Sequence, residues 1–171
     1  FMNARRNYDI ASYNSMFDQD YALYQKSKCS FLLSDYQDQE QVLLKIEQSF
    51  KQSPYIERVL LDLAELYKNI DQNTQSLIYY DKVLDLSQDE EIISSCFLNK
   101  GLIYFNLSEP DKSIFFMKKI ITEYPRTRAF RGAKMGLKES YLSKGSLNEY
   151  FDFINNIPNI NITSSSKDSL M

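Results

Sequence analysis

The sequence predicts an all-α protein, a solenoid of about four stacked antiparallel helix hairpins, and three observations carry that expectation. The 171 residues include four Gly and four Pro, few for a chain with many tight turns, among runs of Leu, Ile, Lys, Glu, Gln and Tyr that suit helices. An internal repeat is visible when Leu61 to Tyr67, Leu98 to Tyr104 and Met135 to Tyr141 are aligned: Tyr67, Tyr104 and Tyr141 stand 37 residues apart (104 − 67 and 141 − 104). Downstream of each tyrosine the positions recur with the helix period: Ser76, Ser113 and Tyr150, then Tyr80, Met117 and Ile154, then Val83, Ile120 and Ile157.

Taken in order, residues 4–17 are expected to form the second helix of a hairpin whose first helix precedes the chain, with Tyr8, Ala11, Tyr13 and Phe17 on its apolar face. Residues 21–54 form the least regular hairpin, in which Leu33, 34 residues before Tyr67, takes the tyrosine place and Val42, Ile46, Ser49 and Pro54 follow at the matching offsets. Residues 55–89 and 91–125 form the two most regular hairpins. Their second helices break at Ser87 to Asp89 and at Tyr124-Pro125-Arg126, because proline removes a donor and disfavours helix in the residue before it.

Residues 128–157 form a fourth hairpin in which Lys138 replaces a small residue and Tyr150 a small hydroxyl, so it should pack more loosely or serve as a cap. Residues 158–171, after Pro158, should be coil. The connecting turns fall at 34–38, 69–73, 106–111 and 143–147, where Asp, Asn, Pro110 and Gly145 allow the chain to reverse. Ala64 and Gly101, three residues before their tyrosines, let two helices approach closely while the tyrosine fills the adjoining space. A single hairpin cannot bury its own apolar face, and about three stacked units are needed for stability.

Composition excludes several function classes. With 20 Lys and Arg against 23 Asp and Glu the formal charge is −3, which opposes generic binding to a phosphate backbone, so no nucleic-acid partner is expected. No apolar run approaches the roughly 18 residues that span a bilayer, so no transmembrane segment is expected. The chain holds no histidine, which removes Ser-His and Cys-His nucleophilic sites and His-ligated zinc, and its four scattered glycines assemble neither a Walker loop nor a GxGxxG turn. Carboxylate sets such as Asp62 with Glu65, or Asp89, Glu90 and Glu91, read as solvated faces or as complements to a helix dipole. No catalysis, cofactor or metal is expected.

Cys29 and Cys96 lie two hairpins apart, on the order of 20 Å if helices pack ~10 Å apart, whereas a disulfide needs Cα atoms within ~7 Å. Two buried thiols are the expectation.

The period, the aromatic after a small residue, the small residue nine further on and the proline near the boundary together resemble the tetratricopeptide repeat (TPR) over about residues 20–160. That resemblance implies a right-handed α-solenoid used for protein–protein interaction. More narrowly, Asp20 to Lys26, Gly101 to Tyr104, Asn148 to Phe153 and Lys167 to Leu170 look like stretches of the large exported multi-repeat TPR proteins of Bacteroidetes bacteria. The narrower likeness implies a periplasmic or outer-membrane-associated setting, further repeats on both sides, and a chain that is a piece of something longer. Some TPR domains hold a partner's C-terminal carboxylate with Lys, Arg and Asn from successive first helices. Here the matching faces carry Lys28, Arg58, Asp62, Asn69, Asn99 and Asn106, a mixture that includes an acid and does not reproduce that clamp.

First helices line the concave side of such a solenoid, so their inward residues are the candidate partner-binding surface. On the first hairpin these are Tyr24, Lys28 and Phe31, and on the second Arg58, Asp62, Glu65 and Asn69. On the third they are Leu98, Asn99, Leu102, Phe105 and Asn106. Aromatic anchors would supply apolar burial, while Asn and charged groups would fix the register of a bound protein or peptide segment; packing between repeats is the competing role for each.

The expected function is a non-catalytic interaction scaffold. The alternatives are a structural spacer, with binding elsewhere in a longer protein, or a weak polyanion binder through the basic cluster Arg126, Arg128, Arg131, Lys134 and Lys138. That cluster also reads as a charged solvent face beside Glu123 and Glu139. In the tail, Asn161-Ile-Thr163 matches an N-glycosylation sequon, and Asp168-Ser-Leu170 resembles the O-glycosylation tripeptide of exported Bacteroidetes proteins, which would place a glycan on Ser169.

Overall fold

The computed structural model describes residues 1–14 and 18–157, with Asn14 by its backbone alone. Phe17, Pro158, the Asn161 sequon, Ser169 and the rest of the tail lie outside the described residues. The described residues form nine α-helices and no strand, so the all-α class expected from the sequence is observed. They are α1 (Met2–Asn14), α2 (Gln19–Leu32), α3 (Tyr36–Ser49), α4 (Ile56–Asn69), α5 (Asn73–Leu86), α6 (Glu90–Asn106), α7 (Pro110–Glu123), α8 (Ala129–Lys144) and α9 (Leu147–Asn155). Contacts divide the chain into two compact units, residues 1–96 and 97–171, with the division falling within α6.

Four hairpins turn by one device. The chain leaves α2, α4, α6 and α8 through a left-handed residue, Ser34 (φ 56°), Asp71 (φ 58°), Ser108 (φ 59°) and Gly145 (φ 76°), each 37 positions from the next (71 − 34, 108 − 71, 145 − 108). One residue further on, the N–H groups of Asp35, Gln72, Glu109 and Ser146 donate to the carbonyls of Ser30, Tyr67, Tyr104 and Tyr141 at 2.9, 2.8, 2.9 and 3.0 Å. The left-handed residues' own N–H groups reach Phe31, Lys68, Phe105 and Leu142 at 2.9, 3.2, 3.0 and 3.0 Å. This pair of bonds is the Schellman closure, which satisfies carbonyls that a helix end otherwise leaves bare.

Three of the four left-handed residues carry a side chain, at a steric cost that glycine avoids. Ser108→Gly is therefore expected to raise stability by up to ~1 kcal/mol, and Gly145→Ala to lower it by about as much. A Cβ at Gly145 meets nothing within 4 Å, so that loss comes from φ alone. Thermal melts followed by circular dichroism check both signs.

The turns correct the register of the first hairpin. Ser30, not Leu33, occupies the tyrosine place, because the closure that starts at Tyr67 and Tyr104 starts here at Ser30. Gln39, Leu43 and Ile46 are then the counterparts of Ser76, Tyr80 and Val83, and all three are buried. The first turn is also tighter than the 34–38 expected, since Tyr36, Gln37 and Asp38 already belong to α3. Asp35 caps that helix by accepting from the Asp38 N–H at 3.2 Å.

In unit 1, α1 packs on α2, α2 on α3, α3 on α4 and α4 on α5. Leu43, Ile46, Val59, Leu63, Tyr80 and Val83 are wholly inaccessible and form the core. Polar bonds tie α3 to the next hairpin: Tyr67 Oη donates to Glu40 at 2.7 Å and Tyr79 Oη to Glu47 at 2.9 Å. Burial first, and then the carboxylate each phenol donates to, pushes both tyrosines above their ordinary pKa and keeps them as donors. Arg5 docks α1 through Asp35 at 2.6 Å, and Lys26 bonds Asp9 at 2.7 Å. Cys29 and Cys96 are both buried, as the sequence predicts.

In unit 2, Met117 of α7 is wholly buried where Gly101 of α6 and Gly136 of α8 leave space for it. Tyr104 stacks on Phe116 with centroids 5.7 Å apart, one period on from the Tyr67–Tyr79 stack at 5.4 Å. Ser113 Oγ and Ser140 Oγ share a buried hydrogen bond of 2.8 Å. The last hairpin is abbreviated: α9 has nine residues and buries only Ile154, while Tyr150 sits half-buried, edge-on to Tyr141 at 6.3 Å.

Candidate partner-binding surface

Helical spacing puts Tyr24, Lys28 and Phe31 on one face of α2, and Arg58, Asp62, Glu65 and Asn69 on one face of α4. Within unit 1 the fold brings these two faces together. Lys28 Nζ donates a hydrogen bond to one Asp62 carboxylate oxygen at 3.0 Å and lies 2.9 Å from the other as an ion pair. Burial pulls the Lys28 ammonium down, but the Asp62 carboxylate outweighs it and holds the group above its ordinary pKa.

Two depressions flank this ion pair. One, of about 60 Å³, is lined by Lys28, Phe31, Gln39, Asp62, Glu65, Leu66 and Asn69. The other is wider, about 470 Å³, and is lined by Tyr24, Gln25, Lys28, Arg58, Leu61 and Asp62. A larger hollow of about 590 Å³ lies at the α3–α4 connection, where Ser53 already donates to Asp20 at 2.6 Å, and contains none of the expected residues.

The expected residues divide by exposure. Phe31 is 47% exposed, and Arg58, Glu65 and Asn69 are also exposed. Tyr24 is not an accessible anchor: it is 5% exposed and its ring stacks on Tyr55 at 5.4 Å and 14°. The reason is tertiary, since the ring that covers Tyr24 stands just before α4, 31 positions away (55 − 24). In unit 2, Leu98 is half-buried against Gly132, whose Cβ would lie 3.2 Å from Leu98 Cδ2, and Asn99 is half-buried. Leu102 is 41% exposed, Phe105 half-buried and Asn106 exposed.

Gln39 is the residue that sequence reasoning missed. It is 4% exposed, lines the smaller cleft, and its Oε1 has no hydrogen-bond partner. In the next hairpin the equivalent Ser76 turns its short hydroxyl onto the Ala64 carbonyl at 2.8 Å. The signal was available in the 37-residue period, had it been carried unshifted from Tyr67 to Ser30 (67 − 30).

In the basic cluster of unit 2, Arg126, Arg128 and Arg131 are exposed, Lys134 lies 5.9 Å over the Phe130 ring and Lys138 is half-buried. Among the described residues no group of His, Cys, Asp and Glu could hold a metal ion, and no helix is long and apolar enough to cross a membrane.

The tetratricopeptide-repeat family model matches residues 57–90 and 94–127, the spans of α4–α5 and α6–α7. These two segments are tetratricopeptide repeats. No curated protein matches the chain. Among solved structures, one titled crystal structure of MamA is 18% identical with a TM-score of 0.71, covering 88% of this chain and 82% of that one. A second, titled crystal structure of MamA protein, is 17% identical with a TM-score of 0.63, covering 91% and 90%. BtubC (BKLC) from P. vanneervenii is 12% identical with a TM-score of 0.68, covering 92% and 76%. At these identities the likeness establishes the helical-repeat fold alone.

Proposed function

We propose that the chain is a non-catalytic protein-interaction scaffold, with one binding face on α2 and α4 in unit 1 and another at the end of α6 in unit 2. The observation that carries this reading is the exposure of Phe31 and Leu102, at 47% and 41%, on the first helices of hairpins whose cores are closed without them. Apolar side chains beside Asn69, Glu65 and Asn106 supply the mixed surface on which a partner segment gains burial and register. The exported, envelope-associated setting belongs to the same proposal and is supported by the resemblance carried by Asp20 to Lys26 and Asn148 to Phe153.

The test is affinity capture from the native envelope with the full-length protein beside a Phe31→Ala, Leu102→Ala, Phe105→Ala variant. The expected result is loss of the partner with an unchanged melting profile. A folded variant that keeps every partner sinks the proposal.

A further inference from the structure

Resting on the face just proposed, we infer that the cleft between α2 and α4 is a receptor for an arginine side chain of the partner. Gln39 is nine-tenths buried and lines the cleft, and its carbonyl oxygen has no hydrogen-bond partner, nor has Asp62 Oδ2 in the same lining, so N–H donors are missing from this place. The charges lining the cleft are one ammonium, Lys28, and two carboxylates, Asp62 and Glu65. Lys28 is committed to Asp62 at 2.9 Å, which leaves the Glu65 carboxylate without a cation inside the cleft. A ligand carboxylate is therefore repelled, and a cation is favoured.

The geometry selects among cations. Gln39, Glu65 and Asn69 offer oxygen acceptors from two helices, and a guanidinium carries five N–H donors in a flat, fixed fork that can serve several acceptors at once. Phe31, 47% exposed, forms a wall on which the flat cation can stack. A lysine ammonium is a compact point charge that satisfies Glu65 but neither spans the acceptors nor stacks. At about 60 Å³ the cleft is the smaller of the two depressions beside the Lys28–Asp62 pair.

The register explains why the cleft stands in this hairpin. Ser30 replaces the tyrosine found at Tyr67 and Tyr104, and Gln39 replaces the serine found at Ser76 and Ser113. A longer amide thus stands where its counterpart's hydroxyl bonds the backbone, at Ser76 to the Ala64 carbonyl, 2.8 Å.

The experiment is an NMR titration of the 171-residue chain with N-acetyl-arginine amide, N-acetyl-lysine amide and the uncharged N-acetyl-citrulline amide. The expected result is a saturable shift of the Gln39 and Asn69 side-chain amides by the arginine probe, weaker binding of lysine, and no saturable response to citrulline. Affinity should fall as salt rises, and Glu65→Gln, a change at an exposed position that leaves the fold intact, should weaken it by about tenfold. Absence of those side-chain shifts, an equal response to lysine or citrulline, or unchanged affinity in Glu65→Gln overturns the inference. If the probe is refused while the triple variant of α2 and α6 still loses its partner, the binding face stands and the arginine receptor falls. If the probe binds as expected while that variant keeps its partner, the cleft accepts arginine but the partner does not use it, and both the proposed face and the inference fall.

Discussion

Replacing both Gly101 and Gly136 by alanine is expected to destabilise unit 2 by more than the sum of the two single changes. A Cβ at Gly101 would lie 2.7 Å from Met117 Cε, and a Cβ at Gly136 would lie 2.7 Å from the same atom. Met117 is wholly buried, so its methyl has no route to solvent. One added methyl displaces this flexible end toward the opposite glycine. Overpacking of that kind costs about 1–3 kcal/mol, offset by ~1 kcal/mol of helix propensity gained on replacing glycine. With both methyls present no space remains on either side, and the two changes should couple unfavourably by about 1–2 kcal/mol. Urea unfolding of the two singles and the double, arranged as a double-mutant cycle, measures this directly. Repeating the cycle in Met117→Ala should abolish the coupling, because the shared obstacle is gone. Additive behaviour in the native background would show that Met117 is not the element that joins the two sites.

Leu63→Ala and Leu102→Ala should differ by several kcal/mol although the chemical change is the same. Leu63 is wholly buried in the core of unit 1, and truncating such a leucine costs roughly 2–5 kcal/mol through lost transfer energy and the cavity left behind. Leu102 is 41% exposed, so its loss should stay within ~0.5 kcal/mol. Chemical denaturation of the two variants separates a residue that builds the fold from one on the proposed binding face. If Leu102→Ala were as destabilising as Leu63→Ala, its side chain would be part of the packing and the proposed face would lose its apolar anchor in unit 2.

The candidate surface was partly legible in the sequence. Helical spacing is enough to place Lys28 and Phe31 on one stripe and Asp62, Glu65 and Asn69 on another, because side-chain direction follows the 3.6-residue period. It does not say what covers each stripe. Tyr24 belongs to the same stripe as Phe31, yet it is closed off by Tyr55 while Phe31 is left open. Leu98 and Leu102 differ likewise, the first facing Gly132 of α8 and the second facing outward. In each case the deciding neighbour comes from another helix, and spacing within one helix carries no trace of it.

By itself the sequence determined the all-α class, the 37-residue period through Tyr67, Tyr104 and Tyr141, and the ends of α5 and α7 near Ser87 and Pro125. All of these arise from local backbone chemistry and from a pattern written along one chain. The register of the first hairpin needed the tertiary structure, because Leu33, Val42 and Ile46 make a plausible apolar series three residues out of step. The left-handed turn at Ser34 and its bond from Asp35 to Ser30 resolve that ambiguity, since a turn of this geometry has one position relative to its helix. The corrected register gives Gln39 the buried place that Ser76 holds in the next hairpin. Only a fold that sets α2, α3 and α4 side by side can leave that amide buried with its carbonyl oxygen unpaired.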